Sequence, residues 1–368
     1  LHLKTYTQNA YGEEYESNWF PELQKMVGKE YLDPEVSHLT HRPIPTCLRN
    51  HAIIHEVNAG RGPIHMVTMH SFQDPHLEEI GWHNFLGMTV GQAVLWAATD
   101  VDPKNENPEL TTSEPYVMGS HATGCGAWCS GPSDVSPEEY QWGYNRMMSV
   151  EGLFGAGDAV GGTPHAFSSG SFTEGRIAAK SACQYIDDGK AEGIKVSEAT
   201  LAKLKEEVFR PMEHYKIHRN DIVAGEVNPN YHNPRQELDR LQKLMDEYCG
   251  GVTVNYMTND KLLSIGLKKL KIMEEDLEKI AAKDLHELLR AWEVKHRHRT
   301  SESVMQHTLF RKETRWPGYY YRGDALKLDD ENWHVLTVSR RDPETGKYTM
   351  EKAPLYHLHD ENEAAAAE

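Results

Sequence analysis

The feature that most constrains this chain is a glycine-rich stretch between residues 152 and 179, GLFGAGDAVGGTPHAFSSGSFTEGRIAA. Leu153 and Phe154 close a short apolar run, which is typical of the end of a strand. Glycine permits backbone turns and close approaches that side chains forbid, so the loop that follows can lie against a bulky planar ligand. The stretch therefore predicts a strand end, a binding loop and a helix start, and the loop glycines are Gly155, Gly157, Gly161 and Gly162.

Polar groups around this loop suit an anionic ligand that carries hydroxyl groups. Asp158 lies among the glycines, where its carboxylate can accept hydrogen bonds from sugar-alcohol hydroxyls. We expect a helix to begin near Ser171, and the serines at this position can cap it. The residues of this helix start are Ser168, Ser169, Gly170 and Ser171. The free N–H groups and the positive dipole end of that helix favour an anion. A reduced flavin, negative at N1 and C2=O, has this character, although on glycine content alone a simple turn between a strand and a helix is the better interpretation.

A longer run, YNRMMSVEGLFGAGDAVGGTPHAFSSGSFTEGRIAAKSA, resembles the flavin-binding signature of the alpha subunits of adenylylsulfate (APS) reductases, within the fumarate reductase/succinate dehydrogenase flavoprotein superfamily. The resemblance implies an α/β and α+β fold, namely the C-terminal part of an FAD-binding flavoprotein fold with a capping domain and a C-terminal helical domain. It extends over nearly the whole chain, through the segments NAYGEEY, PIPTCLRNH, EPYVMGSH, LQKLMDEYCGG, KDLHELLRAWE and LFRKETRWPGYYYR.

Changes in residue composition and spacing along the chain divide it into four predicted regions. Leucines and other apolar residues recur at helical spacing between Leu263 and Trp292, with charges between them, which predicts one face of a helix bundle. A hairpin is predicted from Trp333 to Met350 around the turn residues PETG. The regions are a capping (substrate) domain at 1–113, a C-terminal portion of the FAD-binding domain at 114–192, a helical domain at 193–330, and a C-terminal extension with a disordered tail at 331–368.

Flavoproteins of this superfamily begin with a strand, a GxGxxG turn and a helix that hold the FAD pyrophosphate. No such element precedes Leu1 in this sequence. We therefore expect the ADP-binding half of the FAD site to be missing from this chain, which then binds FAD poorly by itself.

Composition excludes several classes of function. The formal charge of −17, from 39 basic and 56 acidic residues, argues against a general nucleic-acid binder. No apolar run approaches the ~20 residues of a membrane span, so we expect a cytoplasmic protein without direct membrane insertion. Five cysteines without ferredoxin-like spacing predict neither a disulfide framework nor an iron–sulfur cluster in this chain.

The resemblance assigns roles to two further residues, His121 and Phe167, and a cluster of basic residues offers a third candidate, Arg315. His121, in the loop GSHATGCGAW, matches an active-site histidine near the flavin, although the family loop reads closer to GSHSG. Phe167 matches a phenylalanine that stacks on the substrate's adenine, for which simple packing is the alternative, and Ala166 replaces the lysine usual before it. Arg315 is a candidate substrate-binding residue in a basic cluster, for which structural ion pairing is the alternative. The other candidate cations for attracting an anionic substrate are Arg61, Arg311, Lys312 and Arg322.

Two simpler interpretations stay open for the histidine loop. A histidine among small residues is often bonded to its own loop and has no chemical role. His121, Cys125 and Cys129 also have regular spacing, but a fourth ligand is not evident and the spacing is not that of zinc sites. We therefore predict no metal site in this loop.

The implied reaction interconverts APS plus two electrons with sulfite plus AMP, in dissimilatory sulfur metabolism and through a flavin N5–sulfite adduct. The chain is then the FAD-containing catalytic subunit of an oxidoreductase. The implied partner is an iron–sulfur beta subunit that carries the 4Fe-4S clusters, and a membrane-bound electron-transfer complex is a further partner. The alternatives are a fumarate/succinate-type flavin oxidoreductase and a non-catalytic scaffold derived from a flavoprotein.

Overall fold

The computed structural model describes residues 7–28, 44–88, 90–110, 126–134, 136–161, 168–193, 195–221, 228 and 230–355. The chain divides into two compact units, and each unit is assembled from three separate stretches of sequence. The first unit comprises Leu1–Val117, Gly250–Asn259 and Lys312–Asp329, and the second comprises Met118–Cys249, Asp260–Arg311 and Asp330–Glu368.

The first unit is a small mixed helix-and-strand fold. Its short strands pair in two ways, antiparallel with Thr7 opposite Met66, and parallel with Met257 opposite Tyr321. The parallel pair joins the stretch Gly250–Asn259 to the stretch Lys312–Asp329. The elements are α1 (Phe20–Val27), α2 (Ile44–Glu56), α3 (Met69–Gln73), α4 (Pro75–Met88), α5 (Val90–Ala98), β1 (Thr7–Gln8), β2 (His65–Met66), β3 (Met257–Thr258) and β4 (Tyr321–Arg322).

Apolar side chains from short elements form the core of this unit. Tyr15 and Ala52 are fully buried, and Ile53 and Ile64 are almost fully buried. On α1, Leu23 and Val27 are one helical turn apart and both are buried, so one face of this helix turns inward. The unit therefore has two apolar clusters, one that contains Tyr15, α2 residues and Ile64 just before β2, and one on the buried face of α1.

The second unit contains the long helices and the hairpin. Side-chain caps begin three of its helices, because Ser197, Asn233 and Asp284 each accept a hydrogen bond from a backbone N–H three residues ahead. The elements are α6 (Ser168–Asp187), α7 (Glu198–His218), α8 (Pro234–Tyr248), α9 (Asp260–Leu277), α10 (Leu285–Phe310), α11 (Asp330–Trp333), β5 (Val335–Arg341) and β6 (Tyr348–Pro354).

The predicted helix-bundle face is confirmed. Leu263, Leu270 and Leu277 lie on one face of α9 and are buried against α8 and α10. Ile280 and Leu288 are buried as well. Burial of such side chains contributes roughly 1.5–3 kcal/mol each, so this stripe supplies much of the stability of the second unit.

The predicted hairpin is also present. β5 pairs antiparallel with β6, from Val335 opposite Pro354 to Arg341 opposite Tyr348. The turn lies at residues 342–347, where Asp342 accepts hydrogen bonds from the backbone N–H groups of Glu344 and Thr345. The predicted disordered tail lies outside the described residues.

The predicted fold class is confirmed as a mixture of helices and short strands. The four predicted region boundaries stay predictions. Within the part of the chain that the structure describes, each helix is too short or too polar to cross a membrane.

Candidate functional site

The glycine loop of the second unit is fixed by backbone hydrogen bonds to a neighbouring extended segment. Ala127 N–H donates to the carbonyl of Ala159 at 2.7 Å, and Gly161 N–H donates to the carbonyl of Ala127 at 3.2 Å. A Cβ on Gly126 would lie 2.5 Å from the backbone nitrogen of Gly161. Only glycine allows the two segments to approach this closely, so the backbones of the loop and of the neighbouring segment lie in direct contact.

The loop turns directly against the start of α6. Gly157 opens a single 3-10 turn and has a φ of +63°, in the left-handed region that other residues avoid. A Cβ at this position would lie 3.2 Å from Oγ of Ser171, in the first turn of α6. The helix begins at Ser168, slightly earlier than predicted. The structure therefore brings the glycine loop and the serine-rich helix start together.

The other residues predicted to hold a cofactor lie at the same place. Asp158 follows Gly157 and is exposed, and Ser168 is exposed in the first turn of α6. Ser169 and Gly170 also belong to that turn. The N–H groups of a first turn have no partners within the helix, and the helix dipole is positive there. Loop and helix start thus form an open cradle of backbone and small polar groups that suits an anionic, hydroxyl-bearing ligand.

An ion pair attaches the segment before the loop to α6. Arg146 Nη2 donates to Oε1 of Glu174 at 3.0 Å, and Arg146 Nε donates to Oε2 of the same carboxylate. Glu174 is buried, and the bond to it raises the pKa of the Arg146 guanidinium. The Arg146 carbonyl accepts from the N–H of Gly155, which opens the glycine loop. This arginine therefore connects the helix, the loop and the preceding segment.

Cys129 lies next to Gly155 at the start of the glycine loop and has the properties of a packing residue. Its backbone forms a bridge with Met148, and a Cβ on Gly155 would lie 3.2 Å from its sulfur. Burial raises the pKa of the Cys129 thiol, so the group is uncharged at neutral pH. His121 and Cys125, the other members of the metal interpretation, lie outside the described residues, as does Phe167.

Arg315 belongs to the first unit, whereas the glycine loop belongs to the second. Its Nε and Nη2 donate to the two carboxylate oxygens of Glu313, at 2.6 and 3.0 Å. Glu313 is fully buried. Arg322 is also fully buried, and it forms two hydrogen bonds with Asp324. These contacts are those of structural ion pairs, and a substrate-binding role for Arg315 stays a prediction.

Sequence reasoning missed a polar cluster around Glu56 in the first unit. The carboxylate is buried and accepts hydrogen bonds from Asn9, Trp19 and both Nε and Nη2 of Arg61. These donors, the guanidinium of Arg61 above all, lower the pKa of Glu56 to about 2. Arg61, a candidate for attracting substrate, is therefore engaged in an ion pair with Glu56, in a cluster that connects Asn9 and Trp19 to the end of α2 and to the segment after it.

Sequence reasoning also missed two histidines on α2. His51 is fully buried, and its Nδ1 lies 2.8 Å from the hydroxyl oxygen of Tyr321. Burial and the nearby ring of His55 lower the pKa of His51 to about 3. The sequence did indicate that these two side chains lie on one helix face, because His51 and His55 are one helical turn apart in the run NHAIIHE.

Comparison with known proteins gives one consistent result. Residues 238–361 match the family described as "Fumarate reductase flavoprotein C-term". The chain is 41% identical over 378 aligned residues to the adenylylsulfate reductase subunit alpha of Megalodesulfovibrio gigas, in a match that covers 97% of this chain and 55% of the relative. The chain thus spans about half the length of the curated relative that it matches.

Two solved structures agree with that relative. The adenylylsulfate reductase of Archaeoglobus fulgidus matches with a TM-score of 0.83 and 44% identity, over 96% of this chain and 56% of that one. A structure described as adenosine-5-phosphosulfate reductase in complex with sulfite, as a covalent adduct, matches with a TM-score of 0.84 and 44% identity, over 97% and 56%. Residues 238–361 are therefore similar to the fumarate reductase flavoprotein C-terminal family, and nearly all of the chain is similar to about half of the alpha subunit of adenylylsulfate reductase.

Proposed function

We propose that this chain is part of the FAD-containing catalytic alpha subunit of an adenylylsulfate reductase. The enzyme interconverts APS plus two electrons with sulfite plus AMP. The observation that carries this proposal is 41% identity to such a subunit over 97% of the chain. The backbone cradle between Gly157 and the start of α6 supports it, because a flavin protein needs such a surface.

The residues at the cradle fit the negative edge of a flavin. Because Gly157 has no side chain, the loop packs directly against Ser171, which places the loop backbone beside the first turn of α6. The first turn of α6 would donate N–H groups to that edge, and Asp158 would accept hydrogen bonds from ligand hydroxyls. Bound FAD would supply the two-electron redox chemistry at sulfur.

His121 is the proposed catalytic residue. As an imidazolium or an N–H donor, it would stabilise negative charge on the sulfonyl or phosphate oxygens of the substrate. Phe167 would stack on the adenine and so orient the substrate. Replacing His121 with Asn should lower turnover while flavin content stays nearly unchanged, and unaltered turnover would remove this residue from the site.

An electron partner completes the proposal. Electrons would pass to or from an iron–sulfur beta subunit with 4Fe-4S clusters, in the cytoplasm, and a membrane-bound complex would exchange them further. The segment after Asp324, which includes the β5–β6 hairpin, is the proposed contact for the beta subunit. Truncation before Val335 should abolish co-purification of that partner, and retention of the partner would contradict this assignment.

The decisive experiment is AMP-dependent sulfite oxidation by the native assembly, with an artificial electron acceptor. Bleaching of the flavin by sulfite, together with turnover that requires AMP, is the expected result. Bleaching without AMP-dependent turnover would indicate a flavoprotein of another specificity. A fumarate reduction assay on the same sample tests the dicarboxylate alternative, and a colourless sample without either activity would favour a scaffold.

A further inference from the structure

A group of potential metal ligands lies in the first unit, where the proposed function does not use it. His51 and His55 are one turn apart on α2, with ring centroids 4.2 Å apart. Glu22 extends from α1 towards the same point. One ligand atom from each of these three residues lies within 4.8 Å of the other two.

His51 supplies an independent observation that points to a ligand. Its side chain is fully buried, and its Nδ1 lies 2.8 Å from the Tyr321 hydroxyl. Its Nε2 is buried without a hydrogen-bond partner among the described residues. A buried polar atom without a partner is costly, so such an atom in a native fold calls for an explanation.

The contact with Tyr321 explains how His51 could act as a ligand. If Nδ1–H donates to the Tyr321 oxygen, the lone pair of the ring is on Nε2. Histidines that bind metals commonly donate their other N–H group in this way, which fixes the tautomer and the ring orientation. Tyr321 therefore has the position of a residue that orients a ligand.

We infer that Glu22, His51 and His55 form a binding site for a divalent transition metal, with Zn²⁺ as the best match. Two imidazole nitrogens and one carboxylate oxygen are a set of donors that Zn²⁺ prefers. Ligand atoms around tetrahedral Zn²⁺ lie about 3.4 Å apart, and the three donors lie within 4.8 Å of one another, so they have to approach by up to about 1.4 Å. The exposed Glu22 side chain can make that adjustment, and the same exposure leaves a fourth position open to water.

Binding would connect α1 to α2 and so stabilise the first unit. A ligand that binds only the folded state raises stability in proportion to the logarithm of its concentration over Kd. This inference does not rest on the proposed flavin chemistry.

The test uses the native assembly after chelator washing, with Zn²⁺ alone as the probe. Competition titration against a chromophoric chelator gives the affinity of the tightest site, and Zn K-edge absorption at one equivalent identifies its ligands. We expect a spectrum with two imidazole nitrogens. Loss of a residue that only orients a metal ligand costs about 10–100-fold in metal affinity. Loss of a ligand should cost more, so His55→Ala should weaken Zn²⁺ binding by at least about 100-fold.

Two further variants keep the result decisive. Glu22→Gln changes an exposed side chain and should weaken Zn²⁺ binding by at least about 10-fold without disturbing the fold, so it decides the matter if His55→Ala unfolds. His218→Ala is the matched control, because His214 and His218 form a similar pair on α7 with centroids 4.6 Å apart. Equal affinity in wild type and Glu22→Gln, or loss of the tight site in His218→Ala, would overturn the inference.

Discussion

Arg146 binds the buried carboxylate of Glu174 through two guanidinium nitrogens, which attaches the segment before the glycine loop to α6. Replacing Glu174 with Gln removes the charge but keeps the shape of the side chain. We expect a loss of about 1–3 kcal/mol in stability and a lower FAD content in the purified assembly.

Thermal unfolding and flavin absorbance measure these two effects. Asp239→Asn is the matched control, because Asp239 pairs with Arg235 on an exposed helix surface, where such pairs contribute little. An unchanged flavin content in Glu174→Gln would show that this ion pair does not support the cradle.

Gly157→Ala should damage the cradle directly. The left-handed backbone at Gly157 costs a non-glycine residue about 1–2 kcal/mol, and the added methyl group would press against Ser171. We expect FAD retention to fall and the melting temperature to decrease. Gly175→Ala in α6 is the control, since a Cβ there meets open space and alanine favours a helix. Similar FAD content in the two variants would contradict a role for Gly157.

The pH dependence of stability should report Glu56. Its pKa falls from 4.5 to about 2 on folding, chiefly because Arg61 binds the ionised form. The stabilisation is therefore fully present above pH 4.5 and is lost as the pH falls towards 2, with an upper limit of about 3 kcal/mol.

Melting temperatures of wild type and Glu56→Gln between pH 6 and about pH 3 test this assignment. The variant should be less stable at neutral pH, and the difference should narrow on acidification. A constant difference across this range would show that Glu56 does not titrate as its contacts indicate.

Leu270→Ala should destabilise the helix bundle of the second unit. Leu270 on α9 is almost fully buried against α8 and α10. Truncation of a buried leucine to alanine costs about 2–5 kcal/mol in stability. Leu289 is 56% exposed on α10, so Leu289→Ala is the control and should have a small effect. Denaturant unfolding followed by circular dichroism measures both, and equal losses would contradict the assigned core.

Local patterns in the sequence predicted the elements that depend on local physics. Glycine and serine placement indicated the loop and the start of α6, helical periodicity indicated the stripe around Leu270, and turn residues indicated the β5–β6 hairpin. The contact between His51 and Tyr321 joins residues 270 positions apart, and local periodicity carries no information about such a partner. The donors around Glu56 likewise come from separate elements, which only the folded chain brings together.

The assembly of the first unit from three stretches has a consequence for how the chain folds during synthesis. Lys312–Asp329 supplies β4 and the Tyr321 hydroxyl beside His51. The segment Leu1–Val117 can therefore complete its packing only after this much later segment has been synthesised. Contacts at such separations form slowly, because a long loop has to close before they contribute. On the ribosome, α1 and α2 would emerge long before their last partner, and the apolar surface around Tyr15 and Ile53 would need protection until residue 329 has left the exit tunnel.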